Sequence, residues 1–252
     1  MELIEGAAGS GEGAGLRSLY VEPEEDPAEI QWGALEFHDV FRIFRSGPAE
    51  TVALRGLNLR IEPNEMVGIV GPSGSGKSTL LSLAAALDAP SAGEVRALGR
   101  SLARLDEAEL AEYRACSVAI VFQDDNLWPA LSARENVTTA LRLADADRAD
   151  RRAGEALDAF GLGDRGGLRP RSLSGGEQQR VAIAAAAARR APLVLCDEPT
   201  GQLDERNEGL VLESLRELRD QFGATVVVVT HAERVATACD RVVEIHDGRV
   251  AA

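Results

Sequence analysis

Apolar and polar positions alternate with a period of two over residues 35–40, where Leu35 and Phe37 sit against Glu36 and His38, and again over 53–61. Such alternation predicts half-buried strands paired antiparallel. Residues 66–70 and 117–122 are almost wholly apolar and predict two further strands, the first leading into a glycine-rich turn. The runs 193–196 and 225–230 are apolar throughout their interiors, the pattern of strands buried on both faces of a parallel sheet. Apolar spacing of three to four, with many Ala, Leu and charged residues, predicts helices over 79–87, 106–114, 134–160, 178–190 and 208–222. The chain closes with a strand over 241–245, an Asp247-Gly248 turn and Val250, a hairpin pattern. Strands interleaved with helices predict an α/β fold. Neither an internal repeat nor a sustained heptad is visible.

Composition changes this picture mainly at the N-terminus. Residues 1–34 carry eight acids against Arg17 alone, half of a formal net charge of −14, and are rich in Gly, Glu and Pro. They predict a mostly disordered acidic arm with one short apolar patch at Leu16, Leu19, Tyr20 and Val21, followed by a single domain over 35–252. The acidic balance argues against broad binding to nucleic acid. Cys116, Cys196 and Cys239 match no disulfide or zinc spacing and read as reduced core thiols, which points to a cytosolic setting. No basic, apolar signal segment and no membrane-length apolar run appears, so any membrane role is expected to come through a partner.

The chemistry is concentrated in three short stretches. After the strand at 66–70 comes Gly71-Pro72-Ser73-Gly74-Ser75-Gly76-Lys77-Ser78-Thr79, which opens a helix. Glycines let backbone N–H groups converge on phosphates, the helix N-terminus adds partial positive charge, Lys77 adds a full one, and the Ser78 hydroxyl can reach Mg²⁺. Lys77 is the only lysine in the chain, every other cation being arginine. A compact ammonium can reach between phosphate oxygens where a planar guanidinium fork demands more room. The run 193–196 ends in Asp197-Glu198, where a parallel sheet presents its ligand edge. Asp197 can hold the Mg²⁺ shell, and Glu198 is placed to polarise an attacking water. Finally, Leu173-Ser174-Gly175-Gly176-Glu177-Gln178-Gln179-Arg180 sets a serine and two glycines at the start of a helix, a second anion site.

Together these stretches resemble the Walker A, Walker B and signature motifs of ATP-binding cassette (ABC) ATPases. The resemblance runs from about residue 35 to 250. It implies a P-loop NTPase fold of the ABC type, with a RecA-like parallel-sheet core, an antiparallel β subdomain and a helical subdomain over about 124–180. It also implies further site residues: Phe44 stacking on adenine, Gln123 linking the metal site to a transporter partner, Gly201-Gln202-Leu203-Asp204 as the D-loop, and His231 as the switch histidine. Lys77, Gln123, Glu198 and His231 are then catalytic, and Ser78, Gln123 and Asp197 hold Mg²⁺. ATP is bound by Phe44 and the loop from Gly71 to Thr79, and is capped by Ser174, Gly175, Gly176, Glu177 and Asp204.

Within the superfamily, four stretches, Gly71 to Leu81, Leu87 to Val95, Val121 to Pro129 with Glu135-Asn136-Val137, and Pro199 to Asp204, resemble most the ATPases that drive lipoprotein release, macrolide export and cell-division signalling. This implies an ATP-sandwiched homodimer at the cytoplasmic face of the membrane, driving a permease with a large extracytoplasmic domain that is contacted near Leu127, Trp128 and Leu131. A soluble ABC ATPase and a nucleotide-binding regulatory scaffold are the alternatives. The chain departs from the family pattern at Glu177, where glutamine is commoner, at Ala184-Ala185-Ala186, at Asp125 and at Gln202; none of these removes a catalytic group.

Overall fold

The computed structural model describes residues 32–46 and 49–251, so the apolar patch of the acidic arm lies outside the described residues. Two sheets form the frame. The first has four antiparallel strands, β1 (Leu35–Ser46), β2 (Ala49–Ile61), β4 (Ala92–Ala97) and β5 (Arg100–Ser101), in the order β2-β1-β4-β5. The second has six strands: β3 (Met66–Val70), β6 (Val118–Val121), β7 (Leu193–Asp197), β8 (Thr225–Val229), β9 (Arg241–His246) and β10 (Arg249–Val250). Their order is β10-β9-β3-β8-β7-β6, parallel throughout except for the β9–β10 hairpin. That hairpin turns at Asp247 and Gly248, both left-handed, as a two-residue turn of this kind requires.

The parallel strands are buried on both faces, and alternation decides which core each side chain joins. Val226 and Val228 of β8 enter a core with Val194 and Cys196, packed under α3 (Ala133–Leu143), α4 (Ala149–Ala159), α5 (Gly175–Arg189) and α6 (Glu205–Phe222). Val227 and Val229 enter the other core, with Leu193, Leu195, α1 (Lys77–Ala84) and the antiparallel sheet. Two short helices, α2 (Glu107–Glu112) and α7 (Glu233–Thr237), complete the α-helices among the described residues.

Several boundaries differ from expectation for local reasons. Trp32, Gly33 and Ala34, expected in the arm, belong to the packed body: Ala34 N donates to Ile61 O at 2.8 Å, and the Arg96 guanidinium lies 4.3 Å from the centre of the Trp32 ring. The stretch 134–160 is two helices, broken at 144–148 where Asp145 and Arg148 turn left-handed. The expectation of three core thiols fails at Cys116, which is exposed, whereas Cys196 is buried and Cys239 partly buried. Burial holds the Cys196 thiol well above the usual range and pushes Cys239 up to about 11.

Candidate nucleotide site

Because β3, β6, β7 and β8 run parallel and side by side, their carboxyl ends deliver four loops to one edge. The phosphate loop follows β3, Phe122-Gln123 follows β6, Glu198 follows β7, and Thr230-His231 follows β8. A cleft of about 540 Å³ lies there, lined by Phe44 of β1, by Ser73, Gly74, Gly76, Lys77, Ser78 and Thr79, and by Gln123, Asp197 and Glu198. Gly71 and Pro72 underlie it: Lys77 Nζ donates to their carbonyl oxygens at 2.8 and 3.0 Å.

The loop needs its glycines for backbone reasons. Gly76 has φ 104°, and a Cβ there would stand 2.5 Å from Ala53 O, where β2 carries an irregularity opposite Arg42 and Ile43. Gly71, at φ 148°, would bring a Cβ within 2.1 Å of Ile245 O. The α1 helix starts from Gly76 with no side-chain cap, which leaves its first N–H groups to the cleft, a ready anion site. Ser75, by contrast, is buried, and its carbonyl accepts from Gly248 N at 3.0 Å.

On the opposite wall, Asp197 and Glu198 differ in surroundings. Burial raises the Asp197 pKa above the usual carboxylate range; a hydrogen bond from Ser78 opposes this, the Glu198 charge adds to it, and Lys77 opposes it. Glu198 adopts φ 47°, a left-handed backbone that costs about 1–2 kcal/mol in a non-glycine residue. Its Oε1 lies 2.7 Å from His231 Nδ1, and the backbone N–H of His231 approaches Oε2 at 3.4 Å. The Ser78 hydroxyl, the Gln123 amide and the Asp197 carboxylate are hard oxygen donors of the kind Mg²⁺ takes. Among the described residues no group of three His, Cys, Asp or Glu could hold a metal by itself. A small donor set of this kind fits Mg²⁺ arriving with phosphate oxygens.

Ser174, Gly175, Gly176, Glu177 and Asp204 do not line this cleft. Ser174 caps α5 through a reciprocal capping box: its Oγ accepts from Glu177 N at 3.2 Å, and Glu177 Oε2 accepts from Ser174 N at 2.8 Å. Arg165 Nε donates to the other Glu177 oxygen at 2.9 Å. Asp204 caps α6 by accepting from Asn207 N at 2.9 Å. A Cβ on Gly176 would come within 2.7 Å of Asn207 Oδ1, so this glycine lets the starts of α5 and α6 approach closely.

One amide was assigned no role in the sequence reading. Gln179, buried on α5, donates to Gln123 O at 2.7 Å and Phe122 O at 3.0 Å, and accepts from Asn126 Nδ2 at 3.0 Å. The signal was available: Gln179 falls on the same helical stripe as buried Gly176, Ile183 and Ala186, where a polar residue needs partners. Gln202, one of the departures, donates to Asp124 Oδ2 at 2.7 Å and so ties the D-loop to the loop after β6. A smaller cleft of about 150 Å³ lies between α3 and α5, lined by Leu127, Trp128, Leu143, Ala182, Ala185 and Ala186 among others. Trp128 is 65% exposed and Leu143 71%. Leu131, expected with them, does not line it.

A family model described as "ABC transporter" matches residues 54–201, more than half of the chain. The chain belongs to the ABC transporter family. It is 47% identical over 222 residues to the macrolide export ATP-binding/permease protein MacB of Rhodopseudomonas palustris, covering 86% of this chain and 34% of that protein. The chain thus spans about a third of the length of such relatives. It is also 40% identical to an uncharacterized ABC transporter ATP-binding protein of Methanocaldococcus jannaschii, covering 86% of this chain and 97% of the other. Among solved structures, the dimeric ATP-binding cassette MJ0796 in a post-hydrolysis state bound to ADP and Pi superposes with a TM-score of 0.79 at 38% identity, covering 86% of this chain and 97% of that one. The mixed sheets described above are those of an ABC ATPase cassette, and the chain is an ABC-type ATPase.

Proposed function

We propose that this chain is the motor subunit of a transporter complex, in which two copies close head to tail around Mg²⁺-ATP and hydrolysis reopens them. The convergence of Lys77, Ser78, Gln123, Asp197 and Glu198 on one cleft, with His231 bonded to Glu198, carries this reading. Phe44 stacks on the adenine, and the phosphates lie along the α1 N-terminus. Lys77 exchanges its loop carbonyls for phosphate oxygens. Ser78, Gln123 and Asp197 would hold Mg²⁺, which would supply charge stabilisation to the phosphates. Glu198 takes a proton from water as the water oxygen bonds to the γ-phosphorus and the bond to the β,γ-bridging oxygen breaks, leaving ADP and phosphate. His231 holds the carboxylate and faces the γ-phosphate.

Ser174, Gly175, Gly176 and Glu177 lie outside their own cleft and open a helix whose Gly175 and Gly176 N–H groups the capping box leaves over, which suits a cap on the partner copy's ATP, with Asp204 beside it. The dimeric form of MJ0796 supports that pairing. Among the described residues no helix is long and apolar enough to cross a membrane. The exposed Trp128 and Leu143 around an alanine-walled groove fit an apolar helix from a permease with a large extracytoplasmic domain, and the MacB relatives carry a permease by name. The chain accordingly works at the cytoplasmic face. Glu198→Gln tests the chemistry: steady-state phosphate release is expected to fall about 10²- to 10⁴-fold, the range for a positioned base. Unchanged release would remove Glu198 from that role.

A further inference from the structure

We propose that Arg42 is a positioning residue for the nucleotide base, acting through the ring of Phe44. Residues 42 and 44 are two apart on β1, so their side chains project from the same face of the strand. The Arg42 guanidinium carbon stands 4.6 Å from the centre of the Phe44 ring, within cation–π range. Phe44 borders the nucleotide cleft and Arg42 does not. The ring is thus covered by a cation that stands outside the cleft, while the ring itself borders it.

Arg42 is itself pinned. Its Nε donates to Asp88 Oδ2 at 2.7 Å, and Asp88 Oδ1 accepts from Ala89 N at 2.8 Å. Both partners are largely shielded, with side-chain exposures of 23% and 28%, so the pair is screened less than a free surface ion pair. Two more bonds stitch the same stretch of β1 to the loop after α1: Ile43 N donates to Ser91 Oγ at 3.0 Å, and Ser91 N to Phe41 O at 2.7 Å. The two ends of α1 thus serve opposite ends of the nucleotide. Its N-terminus carries Lys77 and Ser78, and the loop beyond its C-terminus fixes the plate behind Phe44. A phenyl ring has no hydrogen-bonding handle to set its plane, and an exposed Phe44 lacks a packed wall. The Asp88–Arg42 pair supplies one and draws electron density from the ring, which favours its stacking on an electron-rich purine.

This inference rests on the reading of Phe44 as the base-stacking residue, and the experiment separates the two. Steady-state kinetics with Mg²⁺-ATP would compare Arg42→Met, Arg42→Lys, Phe44→Ala and the double variant Arg42→Met/Phe44→Ala, with inorganic tripolyphosphate as a base-free competitor. Arg42→Met is expected to raise KM about 3- to 10-fold with kcat unchanged, and Arg42→Lys to restore part of the loss. The double variant is expected to be no worse than Phe44→Ala. Inhibition by tripolyphosphate is expected to be the same in all, because it has no base to stack. If Phe44→Ala leaves KM unchanged, the stacking role itself fails. If Phe44→Ala raises KM while Arg42→Met does not, or if the two effects multiply, or if tripolyphosphate binding weakens with Arg42→Met, the positioning role of Arg42 is overturned.

Discussion

Asp197 is partly buried beside a second carboxylate, and burial holds its pKa above the usual carboxylate range, with Glu198 adding to the rise and Ser78 and Lys77 opposing it. In the pH window between its unfolded and raised folded values the native chain holds a proton that the unfolded chain lacks, so stability falls as pH rises through that window. Above it the charged carboxylate is a standing cost that a bound cation relieves. Asp197→Asn is therefore expected to raise the Tm of the nucleotide-free chain at neutral pH. It is also expected to shrink the further rise on adding Mg²⁺ and ATP. Thermal melts with and without Mg²⁺-ATP check both; a lower Tm in the nucleotide-free variant would contradict this account of Asp197. Lys77, Asp197 and Glu198 were legible in the sequence because each motif is contiguous and its flanking strand is plain. Arg42, Asn126 and Gln179 were not, because their partners lie 46 to 57 residues away along the chain and only the assembled sheets bring them together.

At the scale of elements, α5 explains two of the departures from the family pattern. Glu177 closes a capping box with Ser174 and pairs with Arg165, and the backbone N–H of Ser174 is the largest influence holding its pKa below the usual range. A glutamine could close the box but could not make the ion pair. With the folded pKa depressed, this stabilisation is present above the ordinary glutamate value and is lost as pH falls through the folded one. Glu177→Gln is expected to flatten the fall of Tm between about pH 5 and pH 3 relative to the parent chain. An identical acid limb in both proteins would count against the pairing. Ala184 and Ala186 are buried where α5 packs against its neighbours, and Ala185 walls the Trp128 groove, so small side chains suit both faces. Helix existence was readable from spacing, but ends were not. The α1 helix stops at Ala84, and Ala86 turns left-handed, although residues 79–87 are uniformly apolar or small. β4 and β5 were missed because the alternation of Glu94-Val95-Arg96-Ala97 is too short to stand out, β4 gains its partner from β1 some fifty to sixty residues earlier, and β5 is a two-residue strand paired only on β4.

For the molecule as a whole, the parallel sheet sets four functional loops on one edge while the signature helix carries its serine and glycines elsewhere on the surface. Under the proposed head-to-tail pairing, that separation would give each copy two half-sites and make ATP the bond between copies. Residues 193–196 and 225–230 announced the parallel core through their unbroken hydrophobicity; the pairing of two chains rests on the resemblance and on the dimeric relative. The most direct measurement is sedimentation of the Glu198→Gln chain with Mg²⁺-ATP, with Mg²⁺-ADP, and with Mg²⁺-ATP after Ser174→Arg is added to the same chain. The expected result is a dimer with ATP, a monomer with ADP, and a monomer with ATP when Ser174 is replaced, although a fluorescent ATP analogue still binds. A monomer in ATP without the second substitution, or a dimer in all three conditions, would contradict the shared site.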